Sequence, residues 1–528
     1  MAGTENSTPG LYFRAAAPEP QLETLRTDIA GFIGKTARGP LDRPVRIEGW
    51  RHYQDIFGGL TREADTAYSL RGYFENGGEV AYVLRLLAPA HAAAQATWVV
   101  GDIDPVSSQW VASAPAGGGF SFARYEIIAS SPGTWANGMR VLFSYRLRGR
   151  NGLPQLDIEV HPVNEGVEYL AGLTPRDLET QVTERSRYIR LRGVSTFQPA
   201  PTGFSGPLSS QWNTLELRNG FEENPGLDEY IEASRIMAEQ PEVALVAAPD
   251  MYRMPDPDVH PYRFLSVLTA HTDRSLDRQA LVSLPSSVHS IQEARQWVRS
   301  RMLDMPDGMT RSLAAYHPWI CVDDPLGGLI EPLRTIPAVG HVAGLISRLD
   351  RERGAHHTPA NAVLFDCVDI GHGYDLPDQG VLVQNGINPV RCRRGKGLEV
   401  WGGRTLVDAA QFPEGLYLAH RRLIHRLVRA IRRVAEPLVF DNNGPALWLT
   451  LVRAMTTILL EAYRAGALKG GRPEQAFRVR CDESLNPEFD RSLGRVYCEL
   501  QVAPAVPMEF ITLRIAISRQ GTLEVIGP

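Results

Sequence analysis

The chain has 528 residues, a formal charge of −5, 43% hydrophobic and 22% charged residues. That length points to roughly three domains, and the composition is that of an ordinary water-soluble globular protein. The acidic balance offers no general attraction to nucleic acid, and no stretch reaches the ~18 consecutive apolar residues of a membrane span.

With 48 glycines and 38 prolines, the chain should be rich in turns between compact elements. Residues 1–20 are polar and then Ala/Pro-rich, without the apolar core of a secretory signal, so synthesis and assembly in the cytoplasm are expected. The five cysteines, Cys321, Cys367, Cys392, Cys481 and Cys498, are odd in number and widely spaced. That pattern suits neither a zinc site nor a disulfide framework and predicts free thiols.

In chain order, Leu11, Tyr12 and Phe13 favour a short strand, and residues 15–20 tether it. Residues 27–36 read as a small buried strand, 45–47 as another, and 50–57 and 64–75 as helices. A strand follows at 80–87, so this part has the order β-β-α-α-β. Between about 96 and 225, glycine-rich breaks separate strand-like runs at 125–129, 140–147 and 155–161, which predicts a β-rich insertion.

From 226 the pattern alternates again. Strands are expected at 242–248, 279–284 and 313–322, with helices at 290–301 and 339–351. Such alternation argues βαβ units and a partly parallel sheet. Short strands at 387–391 and 398–401 lead to two long helices, 414–434 and 442–466. Strands at 478–482, 495–503 and 509–518 precede a last strand, Leu523, Glu524, Val525 and Ile526, again on a short tether.

Local signals for catalysis fail on spacing. Gly34-Lys35-Thr36 lacks the glycine five residues before Lys35's own Gly that a phosphate loop needs. Gly203-Phe204-Ser205-Gly206-Pro207 has proline where a nucleophile elbow has its last glycine. His356 and His357 are adjacent, and His420 and His425 are five apart, so neither pair shares a helical stripe for a metal.

One helix is unusual. Arg422, Arg426, Arg429 and Arg433 fall at i, i+4, i+7 and i+11, flanked by Arg421, His425 and Arg432. Leu423, Ile424, Leu427, Val428 and Ile431 line the other side. Residues 385–480 carry roughly +10 within an acidic chain. The stripe is either a solvated face with local salt bridges or a face awaiting an acidic surface; a nucleic-acid groove would interleave aromatics with the arginines.

Several ordered fragments resemble the contractile tail sheath family. They are Pro9-Gly10-Leu11-Tyr12, residues 27–34, Arg38-Gly39-Pro40, residues 74–78 and Ser131-Pro132-Gly133-Thr134-Trp135-Ala136-Asn137. Gly340-His341-Val342-Ala343-Gly344, Asn385-Gly386-Ile387-Asn388-Pro389, Val400-Trp401-Gly402-Gly403-Arg404-Thr405-Leu406 and Val502-Ala503-Pro504 continue the series.

The resemblance implies an α/β (α+β) multi-domain fold with a discontinuous core. Residues 21–95 and 380–517 would form the core sheath domain, with a β-rich inserted domain at 96–225 and an α/β middle domain at 226–379. Residues 1–20 and 518–528 would be strand arms that join sheets of neighbouring subunits, with 14–20 and 518–522 as hinges.

It further implies a structural subunit, with no enzymatic activity and no cofactor or metal, that polymerises helically around an inner tube and contracts. Partners would be other copies, possible paralogous subunits, the inner tube protein, and baseplate and terminal cap proteins. Direct nucleic-acid binding and membrane insertion are not expected, and the mature site would be a phage tail or released injection particle. Arg421, Arg422, Arg426, Arg429 and Arg433 become the candidate tube-facing surface. The alternatives are a non-contractile scaffold or baseplate component, and an α/β enzyme.

Overall fold

The expected apolar run at 27–36 forms β1 (Ala30–Gly34), and every one of its residues is buried. A strand covered on both faces reads as a continuous small-apolar run. The structure is a computed structural model describing residues 26–101, 122–148, 153–163, 165–174, 177–198, 213–306, 308–439, 441–505, 511–517 and 523–526. After β1 come β2 (Val45–Ile47), α1 (Trp50–Phe57), α2 (Thr66–Glu75) and β3 (Ala81–Arg85).

The chain then leaves this unit for a β-rich one. Its elements are β4 (His91–Ala92), β5 (Gln95–Gly101), β6 (Phe122–Ala129), β7 (Arg140–Arg148), β8 (Leu153–His161), β9 (Glu168–Leu173), α3 (Leu178–Arg185), β10 (Ile189–Gln198), β11 (Asn213–Glu216) and β12 (Phe221–Glu222). Two sheets, β10-β6-β5 and β11-β7-β8-β9, enclose a separate core, while β12 pairs with β4. Trp98 stacks on Phe143 at 4.2 Å between ring centres in that core.

The return segment contains α4 (Leu227–Ala238), β13 (Leu245–Ala247), α5 (His260–Ser275), β14 (Gln279–Ser283), α6 (Ile291–Asp304), β15 (Leu313–His317), β16 (Ile320–Asp323), β17 (Leu333–Ile336), α7 (Val339–Arg353), β18 (Ala362–Val363), β19 (Asp369–Ile370), α8 (Leu376–Gln384), β20 (Ile387–Arg393) and β21 (Gly397–Val400). The main sheet has nine strands in the order β18-β21-β20-β15-β14-β13-β1-β3-β2. It is parallel from β20 to β3 and antiparallel at both ends.

This sheet corrects the expected domain boundary. Strands from 21–95 and from 226–379 are hydrogen-bonded neighbours, so these segments do not form separate units. Short parallel strands carry no local sign of their partners, and the β-rich insertion separates β3 from β13 in the chain. The single strand expected at 313–322 is likewise two. Pro318 interrupts it, and β16 joins β17 and β19 in a separate three-stranded sheet.

The C-terminal unit contains α9 (Leu418–Ala435), α10 (Pro445–Arg464), α11 (Pro473–Ala476), β22 (Phe477–Arg480), α12 (Glu488–Ser492), β23 (Val496–Val502), β24 (Ile511–Ile517) and β25 (Leu523–Ile526). Its antiparallel sheet runs β22-β23-β24-β25, and its core gathers Leu427, Ile431, Leu451, Met455 and Leu500. By length and composition α10 could cross a membrane, but its Leu447, Trp448, Leu451, Met455 and Leu459 are buried in this core.

Close helix packing explains one of the quoted fragments. α7 presses on α2 through Gly340 and Gly344. A Cβ there would lie 2.1 Å from the Ser69 carbonyl oxygen and 2.2 Å from that of Tyr73. Backbone cannot yield as a side-chain tip can, so Gly344→Val is expected to cost about 3 kcal/mol or more. Urea unfolding of the purified subunit measures this; an unchanged midpoint would show that the helices separate freely.

Candidate functional site

In an open α/β sheet, ligands bind outside the carboxyl ends of the strands where the strand order reverses. Here the order reverses between β13 and β1. Gly34-Lys35-Thr36 sits there, at the end of β1. This is the place to look for an enzyme.

The crevice is filled by the chain's own charges. Lys35 Nζ pairs with Glu63 and, at 3.1 Å, with Glu222, and it donates to Asn224 at 3.2 Å. Burial opposes the Lys35 charge, yet the Glu63 hydrogen bond and the Glu222 charge raise its pKa above the usual lysine value. Asp250, from the turn after β13, accepts from Lys35 N at 3.0 Å, from Thr66 Oγ1 at 2.6 Å and from Asp65 N.

Asp65 is fully buried and is held by Arg253 at 2.7 and 2.9 Å and by Arg334 at 2.8 and 3.0 Å. The cavity left among these groups is about 10 Å³, near the size of one water probe. The network joins β1, α2, β12, β13 and β17, and it has no room for a nucleotide.

Other chemistry-bearing residues are also apart. No group of three His, Cys, Asp or Glu is placed to hold a metal among the described residues. The rings of His356 and His357 lie 4.5 Å apart at a tilt of 50°, whereas His420 and His425 are buried within α9. The five cysteines are free, and Cys481 and Cys498 lie buried in the C-terminal core. Gly203–Pro207 lies outside the described residues.

The two arms have different outcomes. Leu11, Tyr12 and Phe13 lie outside the described residues. Leu523, Glu524, Val525 and Ile526 form β25, the edge strand of the C-terminal sheet. β25 pairs antiparallel with β24 of the same chain, Leu523 opposite Ile517 and Ile526 opposite Arg514. Its other side is an open edge within the described sheet.

The arginine helix requires a correction. The stripe was expected to face outward, but Arg421, Arg422 and Arg429 are buried, Arg426 is half-buried and only Arg433 is exposed. α9 packs its cations against the rest of the chain. Arg422 pairs with Asp350 on α7 and donates to the Thr27 carbonyl at 3.0 Å. Arg429 donates to the carbonyls of Pro241, Glu242 and Val243 at 2.6, 2.8 and 3.0 Å. Arg432 reaches Asp277 at 2.6 Å.

The planar guanidinium can satisfy several fixed acceptors at once, which suits it to such buried positions. Burial lowers the pKa of Arg421 to about 10, and burial together with Arg421, Arg422 and Arg429 holds His425 well below the usual histidine value. The outer end of α9 borders a groove of about 840 Å³, where Arg26, Arg278, Arg429 and Arg433 face Glu239 and Glu436.

Comparison with known proteins gives these surfaces a context. Residues 265–406 match the family model for the phage tail sheath protein central domain. A tail sheath protein of Vibrio phage KVP40 is 28% identical over 203 residues, which is 37% of this chain. The match spans 28% of that relative's length.

The fold is similar over far more of the chain. The helical sheath of the anti-feeding prophage in its contracted state is 19% identical with a TM-score of 0.54, covering 96% of this chain and 98% of the other. A sheath tail protein from Listeria innocua is 12% identical with a TM-score of 0.63, covering 93% and 95%. Residues 265–406 thus match a sheath-domain sequence, and the fold along nearly all of the chain is similar to that of sheath proteins.

Proposed function

We propose that this chain is the structural subunit of a contractile sheath that polymerises helically around an inner tube and shortens to drive the tube through a target envelope. The observation that carries this reading is the likeness, over 96% of the chain, to a helical sheath in its contracted state. Partners on this reading are copies of the same chain, the inner tube, and baseplate and terminal cap proteins. The subunit is made in the cytoplasm and works in a phage tail or released particle.

The chain's own residues supply the mechanics. The open edge of β25 can take an added strand from a neighbour, with backbone hydrogen bonds giving affinity. Residues 1–14 are the candidate donor. Contacts between unlike surfaces propagate a helix instead of closing a pair. Contraction then needs subunits that rotate as nearly rigid bodies, a behaviour favoured by the buried ion pairs between elements. For the tube, Arg426 and Arg433 at the outer side of α9 replace the full stripe as candidate contacts.

Electron microscopy of the purified assembly tests this. Striated tubes of two lengths are expected, while tubes of one length under every trigger would leave a static scaffold. Deleting residues 1–14 should leave a folded subunit that no longer forms long tubes. Normal tubes from that variant would remove the N-terminal arm from the mechanism.

A further inference from the structure

The small sheet of β16, β17 and β19 carries an apolar knuckle that the subunit's own fold does not use. Leu326, Leu329, Ile330, Leu333 and Val368 are all exposed on this sheet, its turn and the segment before β19; Ile330 is 92% exposed and Leu329 fully so. Singly exposed leucines are ordinary, but several exposed apolar side chains gathered on one turn and its sheet mark a contact surface.

The turn is held in place. The Asp324 carboxylate accepts from Tyr68 Oη at 2.6 Å and from Leu326 N at 2.9 Å. Asp324 N donates to the Pro332 carbonyl at 2.8 Å, and Arg334 ties the base of β17 to Asp65. A Cβ at Gly327 would lie 1.7 Å from the Glu331 carbonyl oxygen, so the turn folds tightly on itself. The leucine and isoleucine are thus presented on a preorganised support, which lowers the ordering cost of docking.

Charge indicates what covers the knuckle. Its rim carries the exposed carboxylates of Asp323, Glu331 and Asp369, which outnumber one exposed cation there, Arg62, bonded to the Leu326 carbonyl. The same chain exposes a strongly basic hairpin tip between β20 and β21, with Arg393, Arg394 and Lys396. Of these only Arg393 has a carboxylate near, Glu399 at 3.8 Å, among the described residues. At the hairpin's base Trp401 is partly exposed beneath the guanidinium of Arg391, 3.5 Å from the ring centre.

We propose that the acidic-rimmed knuckle of one copy docks on the basic β20–β21 hairpin of a second copy. The two surfaces are different and do not pair within the chain, so the contact is head-to-tail, the kind that builds an open helix when its rotation does not close a ring. It rests on the sheath reading above, and it adds a contact independent of the strand arms. The apolar centre supplies affinity, and the opposed rims set orientation and exclude the wrong register.

The test uses the full chain, with the concentration at which it pellets as tubes as the readout. Leu329→Asp with Ile330→Asp is expected to raise that concentration by ~tenfold or more. Thermal melting of the unassembled subunit should be unchanged, because both side chains stand in solvent. Asp323→Lys with Glu331→Lys should also impair assembly, as should Arg393→Glu with Arg394→Glu. All four charge changes in one chain should restore it.

Assembly of the Leu329/Ile330 variant at the wild-type concentration would overturn the contact while leaving the sheath reading in place. So would a four-fold charge variant that remains as defective as its parents. If the wild-type chain forms no tubes at all, the sheath reading itself falls and the contact with it.

Discussion

Arg422→Met is expected to lower the unfolding free energy of the free subunit by about 3–5 kcal/mol. Arg422 and its partner Asp350 are both nearly fully buried. Asp350 also accepts from Thr27 Oγ1 at 2.7 Å, while Arg422 donates to the Thr27 carbonyl. One ion pair therefore ties α9, α7 and the lead into β1.

Removing the arginine leaves a carboxylate in the interior with one hydroxyl for company. Removing both charges, as Arg422→Met with Asp350→Leu, should recover part of the loss, since the desolvation cost of the pair disappears with it. A double-mutant cycle in urea reads the coupling directly. An exposed tube-binding arginine would behave differently, because its loss would leave the free subunit's stability within about 0.5 kcal/mol. A near-zero effect would therefore return the stripe to the surface.

The same helix shows where sequence reading stops. Its existence was legible, since Leu423, Leu427 and Ile431 recur at helical spacing and are buried. Its environment was not. An arginine every three or four residues looks the same whether it meets solvent, a carboxylate or a row of carbonyls. The acceptors of Arg422 and Arg429 lie 72 and 186 residues away in sequence at Asp350 and Val243.

Other elements follow the same rule. The buried parallel strands β1 and β15 announce themselves as unbroken apolar runs, yet nothing local tells β1 that its neighbours are β13 and β3. Pro318 was visible inside 313–322 but its consequence, a strand that changes sheets, is a tertiary matter. The arms were legible only as small strands; that β25 pairs with β24 of the same chain is a property of the folded sheet. At the switch point, the spacing around Lys35 does not match a phosphate loop. The charges that fill the crevice come from Glu63, Asp65, Glu222, Asp250 and Arg334, which no window spans.

Those charges lead to a pH dependence with a definite sign. Burial, and then the neighbouring Asp65 charge, raise the Asp250 pKa from 3.8 to about 6. The unfolded value stays near the ordinary one, so between these values the folded chain holds the extra proton. Stability from this group is then full below about pH 4 and falls as pH rises towards about 6, by roughly 3 kcal/mol. Asp28 runs the other way: despite the opposing effect of burial, its bonds to Arg26 and Arg351 lower its pKa, so its contribution is lost only in more acid solution.

Asp250→Asn removes the titration. It also loses an acceptor for one of the three donors now on the carboxylate, so its absolute stability should be lower at acid pH. The diagnostic is the slope. From pH 4 to pH 6 the wild-type subunit should lose more unfolding free energy than the variant does. Equal slopes would mean that Asp250 is already ionised when buried and that Asp65 does not oppose it. If the slope follows Asp250, neutral solution weakens the network joining α2 to β1 and, through Asp65 and Arg334, to the base of the β16–β17 turn. The turn that carries the apolar knuckle should then be held more firmly at pH 5 than at pH 7, and hydrogen exchange at Asp324 and Gly327 N–H can read that difference.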